Sequence, residues 1–413
     1  MQVERVPIWT RAFRSVCSAV FLAFGQYAML LVVIPLYVTH IGGSPFLAGL
    51  VLLTYSLPSF VLRPLIGYWA DSWSVAGVLA LGSLLMGLSG FFYLLPAMAI
   101  LFLASAARGL GWAGFMTGGY TVVATIAPDS RRGEVSGYYN TVMGSATVLF
   151  PALGLWMLGT SFGGYHVVFV ISSLFALLSA GVAFFWLAPA LRSGTRLQHG
   201  SGRPAGGIAK ALFDRGVLLA TVLNLCSTLT QPAVTSFLPL YAHHQGISQI
   251  GWYFVLSGIA GLVIRPVVGR AADKTGRGVS ILAGLIVQGA GFALIAAFGT
   301  LPAVLLGGIL NAFGVAVVSG ATMALAMDLA DPARRGTAMG TYSLSYQVGA
   351  GLGAVLAGAV VSLSGYQAVY VGGVGVLAAG TLLTLVNWPK LTHTFEPTIV
   401  LEISPGAAEG AGK

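Results

Sequence analysis

The stretch Ile264-Arg265-Pro266-Val267-Val268-Gly269-Arg270-Ala271-Ala272-Asp273-Lys274-Thr275-Gly276-Arg277 joins two long apolar runs. It puts a charged hairpin where one helix leaves a membrane and the next enters. A shorter copy stands earlier, Leu62-Arg63-Pro64-Leu65-Ile66-Gly67-Tyr68-Trp69-Ala70-Asp71, in which Arg63, Pro64, Gly67, Ala70 and Asp71 precede Arg265, Pro266, Gly269, Ala272 and Asp273 by a constant step of 202. The copying extends outward on both sides. Pro35-Leu36-Tyr37 with Thr39-His40 returns as Pro239-Leu240-Tyr241 with His243-His244, a step of 204. Arg131-Arg132-Gly133 with Gly137 and Tyr139 returns as Arg334-Arg335-Gly336 with Gly340 and Tyr342, a step of 203. Three echoes in one order mean two halves of like construction.

The solvent of those halves is lipid. Of 413 residues, 57% are hydrophobic and only 8% charged, where a soluble domain carries about a quarter charged side chains. A spanning helix needs roughly 20 apolar residues. About twelve such runs follow one another, from residues 16–40 through 98–126, 134–160, 215–242 and 336–362 to 367–388. A membrane β-barrel would show short segments alternating apolar and polar, and these runs are too long and too uniformly apolar. The expected fold is an all-α membrane protein, its twelve transmembrane helices forming two pseudo-symmetric six-helix bundles. The expected bundles are residues 1–190 and 215–389, joined by a basic linker over 191–214, with a disordered cytoplasmic tail over 390–413. Gly-rich faces such as Gly349-Ala350-Gly351-Leu352-Gly353 and Gly109-Leu110-Gly111 suit close helix packing in lipid.

Basic residues fix the expected orientation. Arg11 and Arg14, Arg131 and Arg132, Arg192 to Arg215, Arg265 to Arg277, Arg334 and Arg335, and Lys390 all fall on one side of a twelve-span arrangement, and the loops on the other side hold no Lys or Arg. By the positive-inside rule both termini are cytoplasmic, and the membrane is the plasma (inner) membrane. The net charge of +9 is then a topology signal and does not point to nucleic acid. Cys17 and Cys226 lie inside spans, where packing suits them better than a disulfide. No metal cluster, nucleotide-binding loop of the Gly-x-x-x-x-Gly-Lys-Ser/Thr kind or nucleophile with a base is present, so an enzyme or primary pump is not expected and no cofactor is implied.

Only Arg108 departs from the charge pattern. It falls about half-way along span four, where an arginine costs ~2.5–3.5 kcal/mol on an insertion scale. Water, polar partners or a substrate must offset that cost. No Asp or Glu lies in the central part of any span: Asp71, Asp129, Glu134, Asp214, Asp273, Asp328 and Asp331 all map to span ends. An anionic ligand is therefore one reading of Arg108, and a brace between helices is the other. Further candidates to line a binding cavity are Gln26 and Tyr27 in span one, Asn140 in span five, Thr228 and Gln231 in span seven, Asn311 in span ten, and Tyr346 and Gln347 in span eleven. Transporter repeats place substrates near the midplane between halves, although each of these side chains equally suits an interhelical hydrogen bond.

Gly269-Arg270-Ala271-Ala272-Asp273-Lys274-Thr275-Gly276-Arg277 resembles the loop signature of the major facilitator superfamily, and Arg108-Gly109-Leu110-Gly111 resembles that family's Arg-containing motif in span four. The first signature copy departs from the pattern at Ser72, Ser74 and Val75. The resemblance implies a secondary transporter working by alternating access, in which the signature residues stabilise the outward-open state. Read physically, Gly67 and Gly269 let another backbone come close, and Asp71 and Asp273 accept bonds from free amides at a helix start, where the dipole also favours a carboxylate. Pseudo-symmetry pairs Asp71 with the start of span eleven near Arg335, and Asp273 with the start of span five near Arg132. With Arg270 and Arg277 these are the expected gating residues. The leading expectation is export of a small organic compound, drug-like or an anionic metabolite, by proton antiport. Uptake or facilitated diffusion of a small anionic or sugar-like solute is the first alternative, and a membrane-embedded enzyme or sensor is the last. Partners are the substrate, the lipid bilayer and protons.

Overall fold

The computed structural model describes residues 8–62, 65–66, 68–69, 73–127, 132–160, 163–194, 214–247, 249–330 and 335–392. Helix α1 spans Arg11–His40, α2 Pro45–Val61, α3 Val75–Phe92, α4 Met98–Ile126 and α5 Arg132–Leu158. Helix α6 runs Tyr165–Val182 and continues through a wider turn, Ala183–Leu187, into Ala188–Gly194. The second half holds α7 in pieces, Leu218–Leu229, Gln231–Thr235 and Leu238–His244, then α8 Gly251–Thr275, α9 Arg277–Phe298, α10 Leu301–Leu329, α11 Arg335–Ser364 and α12 Tyr366–Val386. Nine of the described helices are long and apolar enough to cross a membrane, and Pro45–Val61 and Gly251–Ile264 are shorter apolar helices.

Local sequence sets where these helices begin. Thr10, Ser44 and Ser74 each accept a bond from a free amide of the first turn, at Phe13 (3.2 Å), Leu47 (3.2 Å) and Gly77 (3.1 Å), as N-caps do. Two expectations need correction. The signature expected as a hairpin is helical to Thr275, and the turn is confined to Gly276, whose φ of 88° suits glycine. Span seven, expected as one run, is broken. Pro232 and Pro239 lack the N–H that would continue the ladder, and each begins a new short helix.

The side chains bury into two main clusters. One draws on Ile8 to Leu191. The other draws on Val217 to Leu391 and takes in Val32 and Leu52 from the first half. The sequence repeat reappears as a repeat of crossings: a Cβ on Gly111 would stand 2.6 Å from the Gly82 carbonyl oxygen, and one on Gly314 would stand 2.6 Å from that of Gly284. Only glycine lets α3 cross α4, and α9 cross α10, at that separation. Between the halves, α2 packs along α11, with the Phe46 amide donating to Ser362 Oγ at 3.2 Å. Helix α5 packs along α8.

Candidate functional site

Arg108 sits about 15 Å along α4 at ~1.5 Å per residue and is 1% exposed. None of its guanidinium nitrogens meets a hydrogen-bond acceptor among the described residues. Its neighbours are aromatic. The guanidinium carbon lies 4.4 Å from the centre of the Tyr55 ring and 5.9 Å from that of Tyr93. Tyr93 is held in turn by a 2.8 Å hydrogen bond between its hydroxyl and Ser105. Gly109 makes the arrangement feasible, because a Cβ there would run into the Tyr55 carbonyl. Its absence lets α2 lay Tyr55 over Arg108. Cation–π contact supplies about 0.5–2 kcal/mol, whereas each buried polar group left unsatisfied costs ~1–3 kcal/mol. The rings alone do not offset the burial.

The box extends toward α1. Tyr27 stacks on Trp112 with ring centres 4.1 Å apart and planes 21° apart, and faces Tyr55 at 6.0 Å. Phe24 closes on Trp112 at 4.9 Å. The sequence pointed to Tyr27 and Arg108 but not to Tyr55, Tyr93 or Trp112. One signal was available, since Trp112 is four residues beyond Arg108 and so shares its helix face. Gln26, next to Tyr27, is fully buried and points elsewhere, donating Nε2 to the Met86 carbonyl of α3 at 3.1 Å.

A second polar locus lies in a cavity of about 200 Å3 between α5, α7, α8 and α10. Its polar lining is Gln231, Asn311, Tyr253, Ser257, Thr147 and Thr235. Gln231 Nε2 donates to Asn311 Oδ1 at 3.4 Å, and Asn311 also meets the Tyr253 hydroxyl. The break in α7 falls at Gln231, so the chain is irregular where it faces a cavity, as membrane interiors tolerate. The repeat maps one locus on the other. Tyr27 stands 204 positions before Gln231 and Arg108 stands 203 before Asn311, the steps already found in those spans. One half presents a cation boxed by rings, and the other presents paired amides.

The remaining candidates separate. Thr228 is buried and donates to the Ser345 carbonyl at 2.8 Å, tying α7 to α11. Tyr346 is exposed, with its hydroxyl 3.4 Å from that of Tyr342. Asn140 is exposed on α5 and Gln347 half-buried on α11. Among the gating residues, Arg277 at the start of α9 pairs Nε with Asp328 Oδ2 near the end of α10 at 3.2 Å, inside its own half. Arg132 and Arg335 are the first residues of α5 and α11, and Gly269, Arg270 and Asp273 fall on α8. Gly67 and Asp71 lie outside the described residues, as do the contacts expected of Asp273.

The family model described as Major Facilitator Superfamily matches residues 16–249 and 243–400. The chain belongs to the major facilitator superfamily. It is a transporter-family protein and not an enzyme. An uncharacterised MFS-type transporter of Methanocaldococcus jannaschii is 22% identical over 369 residues, 88% of this chain and 92% of the relative. Multidrug resistance protein 2 of Bacillus subtilis is 23% identical over 270 residues, 63% of this chain and 66% of that protein. Among solved structures, a bacterial homologue of the human lysosomal transporter Spinster, inward-facing and unoccupied, superposes with a TM-score of 0.80 at 15% identity. It covers 95% of this chain and 99% of its own. The twelve-helix, two-half fold of this family is therefore the fold of this chain, a multi-pass membrane protein.

Proposed function

We propose that this transporter exports a small organic compound carrying an acidic group, by alternating access between its two halves. The observation that carries the proposal is Arg108, a buried guanidinium with no acceptor among the described residues in a span region without Asp or Glu. A substrate carboxylate would supply the bidentate acceptor that the planar fork is shaped for. The amide pair Gln231–Asn311 and the apolar walls of the cavity between α5, α7, α8 and α10 would hold the rest of the molecule. Likeness to a multidrug resistance protein supports export and a drug-like body. We assign both termini to the cytoplasm and the protein to the plasma membrane on its basic loops, the hinge between halves to 191–214, and the inner latch to Asp71 and Asp273.

A proton gradient is the proposed drive. By antiport, the proton would move inward as the carboxylate moves outward. Neutral hydrogen-bonding groups at Gln231, Asn311 and Tyr253 favour one second reading, facilitated passage of a sugar-like solute. Counterflow in reconstituted vesicles decides among these. A panel of carboxylates, sugars and lipophilic cations is offered with and without an imposed pH gradient. Carboxylate-dependent counterflow accelerated by the gradient supports the proposal. Counterflow of sugars alone, or of lipophilic cations alone, defeats it.

A further inference from the structure

At the end of the first bundle that carries Arg11 and Arg14, α1, the last turn of α4 and the tail of α6 enclose an open groove of about 1120 Å3. It is separate from the Arg108 box and from the cavity between α5, α7, α8 and α10. Its wall holds Arg11, Arg14 and Ser18 from α1, Thr125 from α4, and Phe185 and Trp186 from α6. None of the described lining residues is acidic. Arg11 and Arg14 are both exposed and have no carboxylate partner among the described residues.

The α6 wall is shaped by the wider turn. Pro189 has no N–H to give the Phe185 carbonyl four residues back. Just before it, the Ala188 amide reaches five residues back to the Ala183 carbonyl. In a regular helix successive side chains fan out by about 100°. Here Phe184, Phe185 and Trp186 in succession are 64%, 67% and 62% exposed. Aromatic side chains at a span end belong at the depth where headgroup meets acyl chain. Two guanidiniums, four hydroxyls and an aromatic shelf at that depth match one kind of occupant.

We infer that this groove binds the headgroup of an anionic phospholipid, its phosphate between Arg11 and Arg14 and its acyl chains along Phe185 and Trp186. A soluble phosphate would use the guanidiniums and leave the aromatic shelf idle. A peptide segment would need acidic side chains to meet them. A zwitterionic lipid would bind the shelf but gain little from the arginines, so the preference for an anionic headgroup is on the order of tenfold.

The test uses the full-length protein purified in detergent and supplied with phosphatidylglycerol or phosphatidylcholine at equal mole fraction. Melting temperature and the number of lipids retained in native-condition mass spectrometry are the readouts. Phosphatidylglycerol should be retained and raise the melting temperature about 1–3 °C more than phosphatidylcholine. In Arg11→Gln/Arg14→Gln that extra increment and the retained lipid should disappear. Trp186→Ala, which keeps both charges, should weaken retention of phosphatidylglycerol severalfold. Equal increments from the two lipids in the wild-type protein overturn the inference, with no variant required. So does an increment that survives the double substitution, or one reproduced by glycerol phosphate alone.

Discussion

Replacing Arg108 by Met should make the unliganded protein more stable while removing its ability to bind a carboxylate. The substitution takes a guanidinium out of a site that is 1% exposed and offers it no acceptor among the described residues. Relief of the mid-membrane penalty is worth ~2.5–3.5 kcal/mol. Against it stands loss of the contact over the Tyr55 ring, about 0.5–2 kcal/mol. Met fills similar space beside Tyr55, Tyr93 and Trp112 without a cavity of consequence. The net gain is about 1–2 kcal/mol, which for a chain of this size moves the melting temperature by roughly 1–4 °C. The assay is thermal unfolding in detergent, with and without a panel of carboxylates, beside counterflow in vesicles. Arg108→Met should melt higher than wild type, gain nothing from any carboxylate and fail in counterflow. Arg108→Lys keeps a charge but loses the planar fork, so it should bind carboxylates at least tenfold more weakly. A melting temperature several degrees below wild type for Arg108→Met would refute the reasoning, because it would show the guanidinium bracing the bundle.

Further outcomes follow from the same geometry. Gly109→Ala drives a methyl into the Tyr55 carbonyl, so it should cost ~1–3 kcal/mol of stability and lower transport by displacing the ring over Arg108. Gln231→Ala and Asn311→Ala each remove one partner of a 3.4 Å hydrogen bond in the cavity. Each should raise the half-saturating substrate concentration about 3–10-fold, as one hydrogen bond is worth ~0.5–1.5 kcal/mol, with expression and melting little changed. Pro232→Ala restores an amide at the break in α7 and should straighten the span, slowing turnover in vesicles more than it weakens binding. Arg277→Ala breaks a half-exposed pair with Asp328 inside one half. Loss of that pair should cost less than about 1 kcal/mol in thermal unfolding.

The repeat steps of 202 to 204 carried most of what the sequence could say, because duplication places Gly82 with Gly284 and Gly111 with Gly314 at the same two crossings. Arg108 was legible because a lone charge in an apolar run has few explanations. Its ring box was legible only at Trp112, on the same face of α4, because Tyr55 and Tyr93 come from other elements and hydropathy does not fix how one helix is rotated against another. Thr228 and Gln231 show the same limit within one span. They stand three residues apart, yet the first ties α7 to α11 and the second faces a cavity, because the helix ends between them. Pro232 and Pro239 announced that break, but an apolar run averaged over residues 215–242 conceals it. The turn before Pro189 was hidden the same way, inside an otherwise ordinary span.

The glutamine between α1 and α3 has changed sides in the second half. Gln26 reaches from α1 to Met86, whereas 204 positions after Gln26 stands Thr230 and 202 after Met86 stands Gln288, which donates Nε2 back to Thr230 Oγ1 at 3.0 Å. The two copies have thus kept a joint while exchanging which member supplies the amide. A chimera that moved the first span of one copy into the other would therefore either crowd two glutamines into one seam or leave it with none. The halves are shaped alike but are not interchangeable parts.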